Sequence, residues 1–142
     1  MNETKTVIIT GASQGIGAAL VKAFLERGYS VVANSRNMTK SGAFVPSDKL
    51  ALVDGDIGEI ATAAKIVETA TSKFRSIDAL INNAGIFFSK PFTNYTADDF
   101  RALASTNLEG FIYTPSSRLN KWWRKSLAEA LLALRPRWSN IR

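Results

Sequence analysis

Cysteine and histidine are both absent from these 142 residues. Without thiols the chain forms neither disulfides nor thiolate zinc sites, and without imidazoles it lacks the usual neutral-pH general base and the commonest metal ligand. No metal site is expected, and any acid–base chemistry has to use another group. No apolar stretch reaches membrane-spanning length, and Met1-Asn2-Glu3-Thr4-Lys5 leads directly into a strand pattern in place of a secretory apolar region. A cytoplasmic location is the expectation. Internal repeats and low-complexity tracts are missing as well. What remains, 46% hydrophobic and 21% charged residues, is ordinary for one soluble globular domain with a sizeable core.

A net charge of +6 raises a nucleic-acid reading, which the distribution of charge along the chain decides. Residues 1–114 hold 11 Lys and Arg against 11 Asp and Glu, whereas residues 115–142 hold 7 basic residues against Glu129 alone. All three tryptophans, Trp122, Trp123 and Trp138, fall in that same segment. The body is neutral, so no nucleic-acid partner is expected, and a boundary is expected after Thr114. One reading of residues 115–142 is a shifted reading frame or an unrelated fused end. The other is a basic amphipathic helix: Leu119, Trp122, Trp123, Leu127, Ala130, Leu131 and Leu134 share one face, with Arg118, Lys121, Arg124, Lys125 and Arg135 opposite. Such a helix suits an anionic membrane or a partner's groove, but the favoured version has its apolar face covering the sheet.

The body alternates strand and helix patterns, which means a parallel sheet. Strands are expected at residues 6–10, 30–34, 50–54 and 78–82. A first helix over residues 16–27 places Ile16, Leu20, Ala23 and Phe24 on one face and stops at Gly28, suited to a left-handed cap. A second, over residues 59–74, places Ile60, Ala64, Val67, Ala70 and Phe74 together. A third starts at Thr96, whose hydroxyl can cap the backbone near Asp99, and runs past Phe100, Leu103 and Leu108 toward Tyr113, with Pro115 blocking its continuation a short way on. Residues 36–49, rich in Ser, Gly, Thr and Pro, read mostly as loop.

Between the first strand and helix lies Thr10-Gly11-Ala12-Ser13-Gln14-Gly15-Ile16-Gly17. Gly11 permits a sharp turn, Gly15 lets backbone approach a phosphate, and Gly17 allows close helix–strand packing, while the amides of the helix start face the anion. Glycines alone are a weak signal. Their context includes Asp56 after the third strand, Asn82-Asn83-Ala84-Gly85 ending the fourth, and Asn107 in the next helix. Over residues 5–114 the chain resembles the short-chain dehydrogenase/reductase family, whose pyrophosphate motif Thr-Gly-xxx-Gly-x-Gly residues 10–17 match at every defined position. The resemblance implies cofactor contacts from Gly11, Ser13, Gly15, Ile16 and Gly17. It implies Asp56 on the adenine amino group, Ile57 over the adenine, and the Asn82–Gly85 segment lining the adenosine ribose and bracing the central sheet, with Asn83, Ala84 and Gly85 as its cofactor contacts. Asn107 corresponds to the family's asparagine that holds a water in the proton relay.

An acidic residue at the end of the second strand binds the 2′-hydroxyl of NAD, and an arginine binds the 2′-phosphate of NADP. Ala33-Asn34-Ser35-Arg36 carries no acid there. A guanidinium forks onto phosphate and Ser35 adds a hydroxyl, so NADP is expected over NAD. The family's serine and Tyr-xxx-Lys, by contrast, have no counterpart. Four residues after Tyr29, Tyr95 and Tyr113 stand Ala33, Asp99 and Ser117, and Ser139 has no strand context. That tyrosine is the family's proton donor, acidified by the lysine, so hydride transfer little above background is expected unless a partner completes the site.

The expected fold is a truncated Rossmann-type half, an α/β three-layer domain with a parallel sheet of strand order 3-2-1-4, right-handed crossovers and an exposed edge at the fourth strand that favours homo-oligomers. The expected function is an NADP-linked short-chain oxidoreductase acting on a carbonyl or secondary alcohol, retained here as its cofactor-binding part. Whether the chain is an enzyme stays open beside two alternatives, a non-catalytic nucleotide-binding or interaction module and a non-functional product.

Overall fold

A computed structural model describes residues 4–116 of the chain. The basic C-terminal segment, with both readings given for it, lies outside them. The apolar runs form strands β1 (Thr6–Thr10), β2 (Ser30–Ser35), β3 (Leu50–Asp54) and β4 (Ala79–Ile81) in a parallel sheet ordered β3-β2-β1-β4, as expected. Helices α1 (Gly15–Glu26) and α2 (Ile60–Thr69) follow β1 and β3. After β4 come α3 (Ala97–Ala104) and α4 (Gly110–Ser116). Among the described residues no helix is long and apolar enough to cross a membrane.

Register explains the layers. Val7 lies opposite Val31 and Ala79, Ile8 opposite Val32 and Leu80, and Val32 opposite Ala51. Side chains alternate across a strand, so residues of one parity gather on one face. Val7, Ile9, Val31 and Ala33 pack with Val21 of α1, while Ile8, Val32, Ala51 and Val53 pack with Ile66 of α2. Every residue of β1 is buried, as a central strand covered on both faces requires. β4 is shorter than the expected 78–82, although Asp78 still donates its amide to the Thr6 carbonyl at 2.8 Å while its carboxylate accepts the Thr6 amide at 2.7 Å and the Ser76 hydroxyl at 3.0 Å.

α1 ends as the glycine at 28 suggests. Gly28 takes φ 83°, its amide bonds the Leu25 carbonyl at 2.9 Å, and Tyr29 bonds back to Phe24 at 3.0 Å, with the two rings edge to face at 5.0 Å. The expected helix faces hold in part: Leu20 and Phe24 of α1 pack on the core, and Val67, Ala70 and Phe74 do so on and after α2. Gly17 and Val21 are the buried positions of α1, and Ile16 is 74% exposed. In α2 the buried stripe is Thr62, Ala63, Ile66 and Val67, leaving Ile60 63% exposed and Ala64 exposed. At Gly17 the first helix lies against the turn backbone, which leaves Ile16 outside the contact, while Val21 and Ile66 fill the space over the two faces of the sheet.

The helical backbone widens into π turns at Ala70–Phe74 and Ser105–Glu109, the second joining α3 to α4 where one regular helix was expected. α4 runs to Ser116, including Pro115. Thr96 caps α3 reciprocally with Asp99: the Asp99 amide donates to Thr96 Oγ1 at 3.2 Å and the Thr96 amide to Asp99 Oδ2 at 2.7 Å. Lys90 pairs with the same carboxylate. The Lys90 ammonium first, then the Thr96 amide and hydroxyl, lower the Asp99 pKa from 3.8 to about 2.

Two outcomes follow. Ile8 is fully buried beneath α2, so Ile8→Ala is expected to lower unfolding stability by about 2–5 kcal/mol in urea titration, and a change below about 1 kcal/mol contradicts this packing. Asp99 titrates lower folded than unfolded, so its contribution is complete above about pH 4 and fades as pH falls toward about 2. Asp99→Asn is therefore less stable than wild type at pH 6, with the gap closing by pH 2; a gap independent of pH contradicts the cap.

Candidate functional site

The loops at the carboxyl edge of the sheet meet because one of them carries no side chain. Gly11, at φ 65°, leaves β1 so close to the segment after β4 that a Cβ would stand 2.8 Å from the Ala84 Cα. A Cβ on Gly17 would strike the Gly11 carbonyl oxygen, so α1 also seats directly on the turn. Thr10 and Asn83 stitch these pieces together. Thr10 Oγ1 accepts the amides of Asn83 at 3.1 Å and Ala84 at 3.0 Å, while Asn83 Nδ2 donates to the carbonyls of Thr10 at 3.0 Å and Gly11 at 3.1 Å.

Asn34 makes the corresponding brace on the other side. Its carbonyl accepts the Ala12 amide at 2.9 Å, and its Nδ2 donates to Val53 O at 3.0 Å and Gly55 O at 3.2 Å. The turns after β1, β2 and β3 are thereby held at one edge.

These braces enclose a cleft of about 350 Å³. The glycine turn lines it with Gly11, Ser13, Gly15, Ile16 and Gly17; β2 ends in it with Ser35 and Arg36; the loop after β3 adds Asp56 and Ile57, and that after β4 adds Asn83, Ala84 and Gly85. Every position named as a cofactor contact in the sequence is brought to this one cavity. Gln14, Asn34, Gly55, Ile86 and Thr106 line it too and were not anticipated. A polar residue inside the apolar run of β2 was a usable signal for Asn34; nothing in the sequence marks Thr106.

The cleft's chemistry favours an anion at one end. Gln14 precedes α1 without a side-chain cap, and no acidic residue occupies the first turn, so the amides of the helix start and their dipole face the cavity unopposed. The Cβ of a residue at 15 would meet nothing within 4 Å, leaving room for a group to approach the turn. Ser35 Oγ and Asn34 Oδ1 are buried without a hydrogen-bond partner. The Arg36 guanidinium is exposed and makes no ion pair among the described residues. Asp56 uses Oδ1 to accept the Gly58 amide at 2.9 Å. The helix-start amides and the Ser35 hydroxyl as donors, the unpaired Arg36 cation and an open turn together fit a phosphate-bearing ligand lying along the sheet edge, whereas Asn34 Oδ1 can only accept.

Asn107 sits apart, in an adjoining recess of about 40 Å³ with Thr10, Asn82 and Phe111. Both ends of its amide are engaged: Oδ1 accepts the Ile86 amide at 2.9 Å and Nδ2 donates to the Ile86 carbonyl at 2.9 Å. The side chain thus ties the widened helical turn to the loop after β4. Tyr95 donates its hydroxyl to the Phe88 carbonyl, and Tyr29 packs on Phe24; neither lines the cleft.

Comparison with known proteins gives the same answer as the geometry. Residues 5–128 match the family described as short chain dehydrogenase, a match that runs past Thr114 into the basic segment. The NADP-dependent (R)-specific alcohol dehydrogenase of Lentilactobacillus kefiri is 29% identical over 132 residues, covering 90% of this chain and 52% of that one. A glucose/ribitol-type short-chain dehydrogenase/reductase from Brucella melitensis superposes with a TM-score of 0.76 at 30% identity, over 83% of this chain and 53% of the other. A 3-ketoacyl-(acyl-carrier-protein) reductase from Brucella melitensis, solved with NADH, gives 0.74 at 30% identity, over 80% and 48%. The chain spans about half the length of the curated relatives it matches. With its strand order, its glycine turn and this match over most of its length, the chain belongs to the short-chain dehydrogenase family.

Proposed function

We propose that this chain is the dinucleotide-binding part of a short-chain oxidoreductase, that it prefers NADP to NAD, and that on its own it transfers hydride at little above background. The observation that carries the reading is the convergence of open helix-start amides with Ser35 and Arg36 in one cleft, with no carboxylate at the end of β2. Gly15 leaves the turn open to a pyrophosphate, Gly11 and Gly17 let β1, α1 and the segment after β4 meet beside it, and Arg36 with Ser35 offers the guanidinium fork and hydroxyl that suit a 2′-phosphate. Asp56, Ile57 and the segment 83–85 form the walls for the adenosine half. One relative is named as NADP-dependent and another was solved with NADH, so the arginine, not kinship, supports the choice.

A bound nicotinamide dinucleotide supplies or accepts the hydride; the residues here determine only how it is held. Proton delivery to a carbonyl oxygen needs a donor beside the cleft. The Asn107 amide is committed to Ile86 at both ends, and none of the three tyrosines precedes a lysine by four residues. Binding without turnover is the consequence.

Calorimetry on the full chain is expected to show NADPH binding at least about tenfold tighter than NADH, with Arg36→Ala removing the difference, and equal affinities in wild type overturn the cofactor choice. NADPH consumption with a panel of aldehydes and ketones is expected to stay far below enzymatic rates; turnover of about 1 s⁻¹ or more would show that a proton donor is present after all.

We also propose self-association. Among the described residues β4 is the sheet edge beyond β1, and Phe111 and Ile112 of α4 are 58% and 57% exposed. Sedimentation at micromolar concentration is expected to show a mass at or above twice 15.5 kDa, and a monomer at every concentration contradicts it.

A further inference from the structure

Asp54 closes β3 directly opposite Ser35. A carboxylate one residue from an anion-binding cleft is out of place unless its charge is turned elsewhere, and here it is. Oδ1 accepts the Thr39 amide at 2.8 Å and Oδ2 accepts the Thr39 hydroxyl at 2.5 Å. These two bonds, opposed in part by desolvation and aided by the Met38 backbone and the Lys65 charge, hold its carboxyl below the ordinary carboxylate range.

The bonds fix the far side of the turn that presents Arg36. Met38, one residue before Thr39, is fully buried in the core beneath α1 and so pins the turn from below. Ser41 Oγ donates to the Met38 carbonyl at 2.7 Å, and the Gly55 amide donates to the Ser35 carbonyl at 3.1 Å. Backbone is therefore clamped on both sides of an arginine whose own side chain is exposed. A free guanidinium on a loose loop samples many positions, whereas a fixed Cα confines it to the mouth of the cleft.

We propose that Asp54, acting through Thr39, is a positioning residue that holds the Arg36 turn and thereby sets the preference for a 2′-phosphorylated dinucleotide over one with a free 2′-hydroxyl. This rests on the reading of Arg36 given above.

The test is calorimetry of NADPH and NADH with full-length wild type, Thr39→Val, Asp54→Asn, Arg36→Ala and the two doubles with Arg36→Ala. Thr39→Val and Asp54→Asn are each expected to weaken NADPH about three- to tenfold and to leave NADH unchanged. Neither is expected to add to the loss already caused by Arg36→Ala, since groups acting through one another are non-additive. Thr39 is exposed and Thr39→Val removes one hydroxyl at constant shape, so that arm stands even if Asp54→Asn fails to fold. A wild-type NADPH-to-NADH ratio in Thr39→Val, an equal loss for both nucleotides, or a full additional loss in the Arg36→Ala background overturns the proposal. A wild type that binds both nucleotides equally instead overturns the Arg36 reading, and one that binds neither overturns the dinucleotide site itself.

Discussion

Everything at the carboxyl edge of this sheet depends on backbone meeting backbone at Gly11. With a side chain there, the turn after β1 and the segment after β4 could not lie in contact, because a Cβ would overlap the Ala84 main chain. Gly17 repeats the constraint one helical turn on, seating α1 against the Gly11 carbonyl. The hydrogen bonds of Thr10 and Asn83 span that contact, four of them within 3.1 Å, so they exist only because the two segments are already touching. The direction of α1 follows, and with it the place where its unpartnered amides point.

The same edge shows why the strands were legible in the sequence and the helix faces only in part. Strands buried on both faces read as short continuous apolar runs, which the alternation with helical patterns marks as a parallel sheet, while the strand order came with the family resemblance. A helix rich in small residues carries two overlapping apolar stripes. Ile16, Leu20, Ala23 and Phe24 satisfy helical spacing as well as Gly17 and Val21 do, and hydrophobicity alone favours the first set. The structure divides the first set: Leu20 and Phe24 pack on the core beside Val21, while the close approach at Gly17 leaves Ile16 exposed. Ile16 is displaced to the rim of the cleft by that contest.

The site residues were legible where a motif fixes backbone and obscure where a side chain serves backbone at a distance. Gly11, Gly15 and Gly17 declare themselves by spacing. Asn34 stands out as a polar residue in an apolar run but not in what it holds, because the carbonyls of Val53 and Gly55 lie nineteen and more residues away. Asn107 was visible as a residue but not in what its side chain does: a widened turn at Ser105–Glu109 carries an amide that pairs with both main-chain groups of Ile86. Helix widening has no composition signal in this segment, so that pairing could only be seen in three dimensions.

The uncapped amides and unpaired polar atoms of the cleft carry an energetic consequence. A cleft that leaves helix-start amides uncapped and two buried polar atoms unpaired is less stable than one that satisfies them, by roughly 1–3 kcal/mol for each unpaired group. A ligand that supplies those partners recovers the deficit on binding, and any ligand held only by the folded state stabilises it further by mass action. Such an edge has reason to persist in a protein that is loaded with nucleotide. The Asn107 amide and the Tyr95 hydroxyl, by contrast, are already paired, and beside Asn107 it is Asn82 Oδ1, an acceptor, that is buried without a partner. Among the described residues the unpaired donors gather at the cleft, on the side where the phosphates of the proposed dinucleotide would lie.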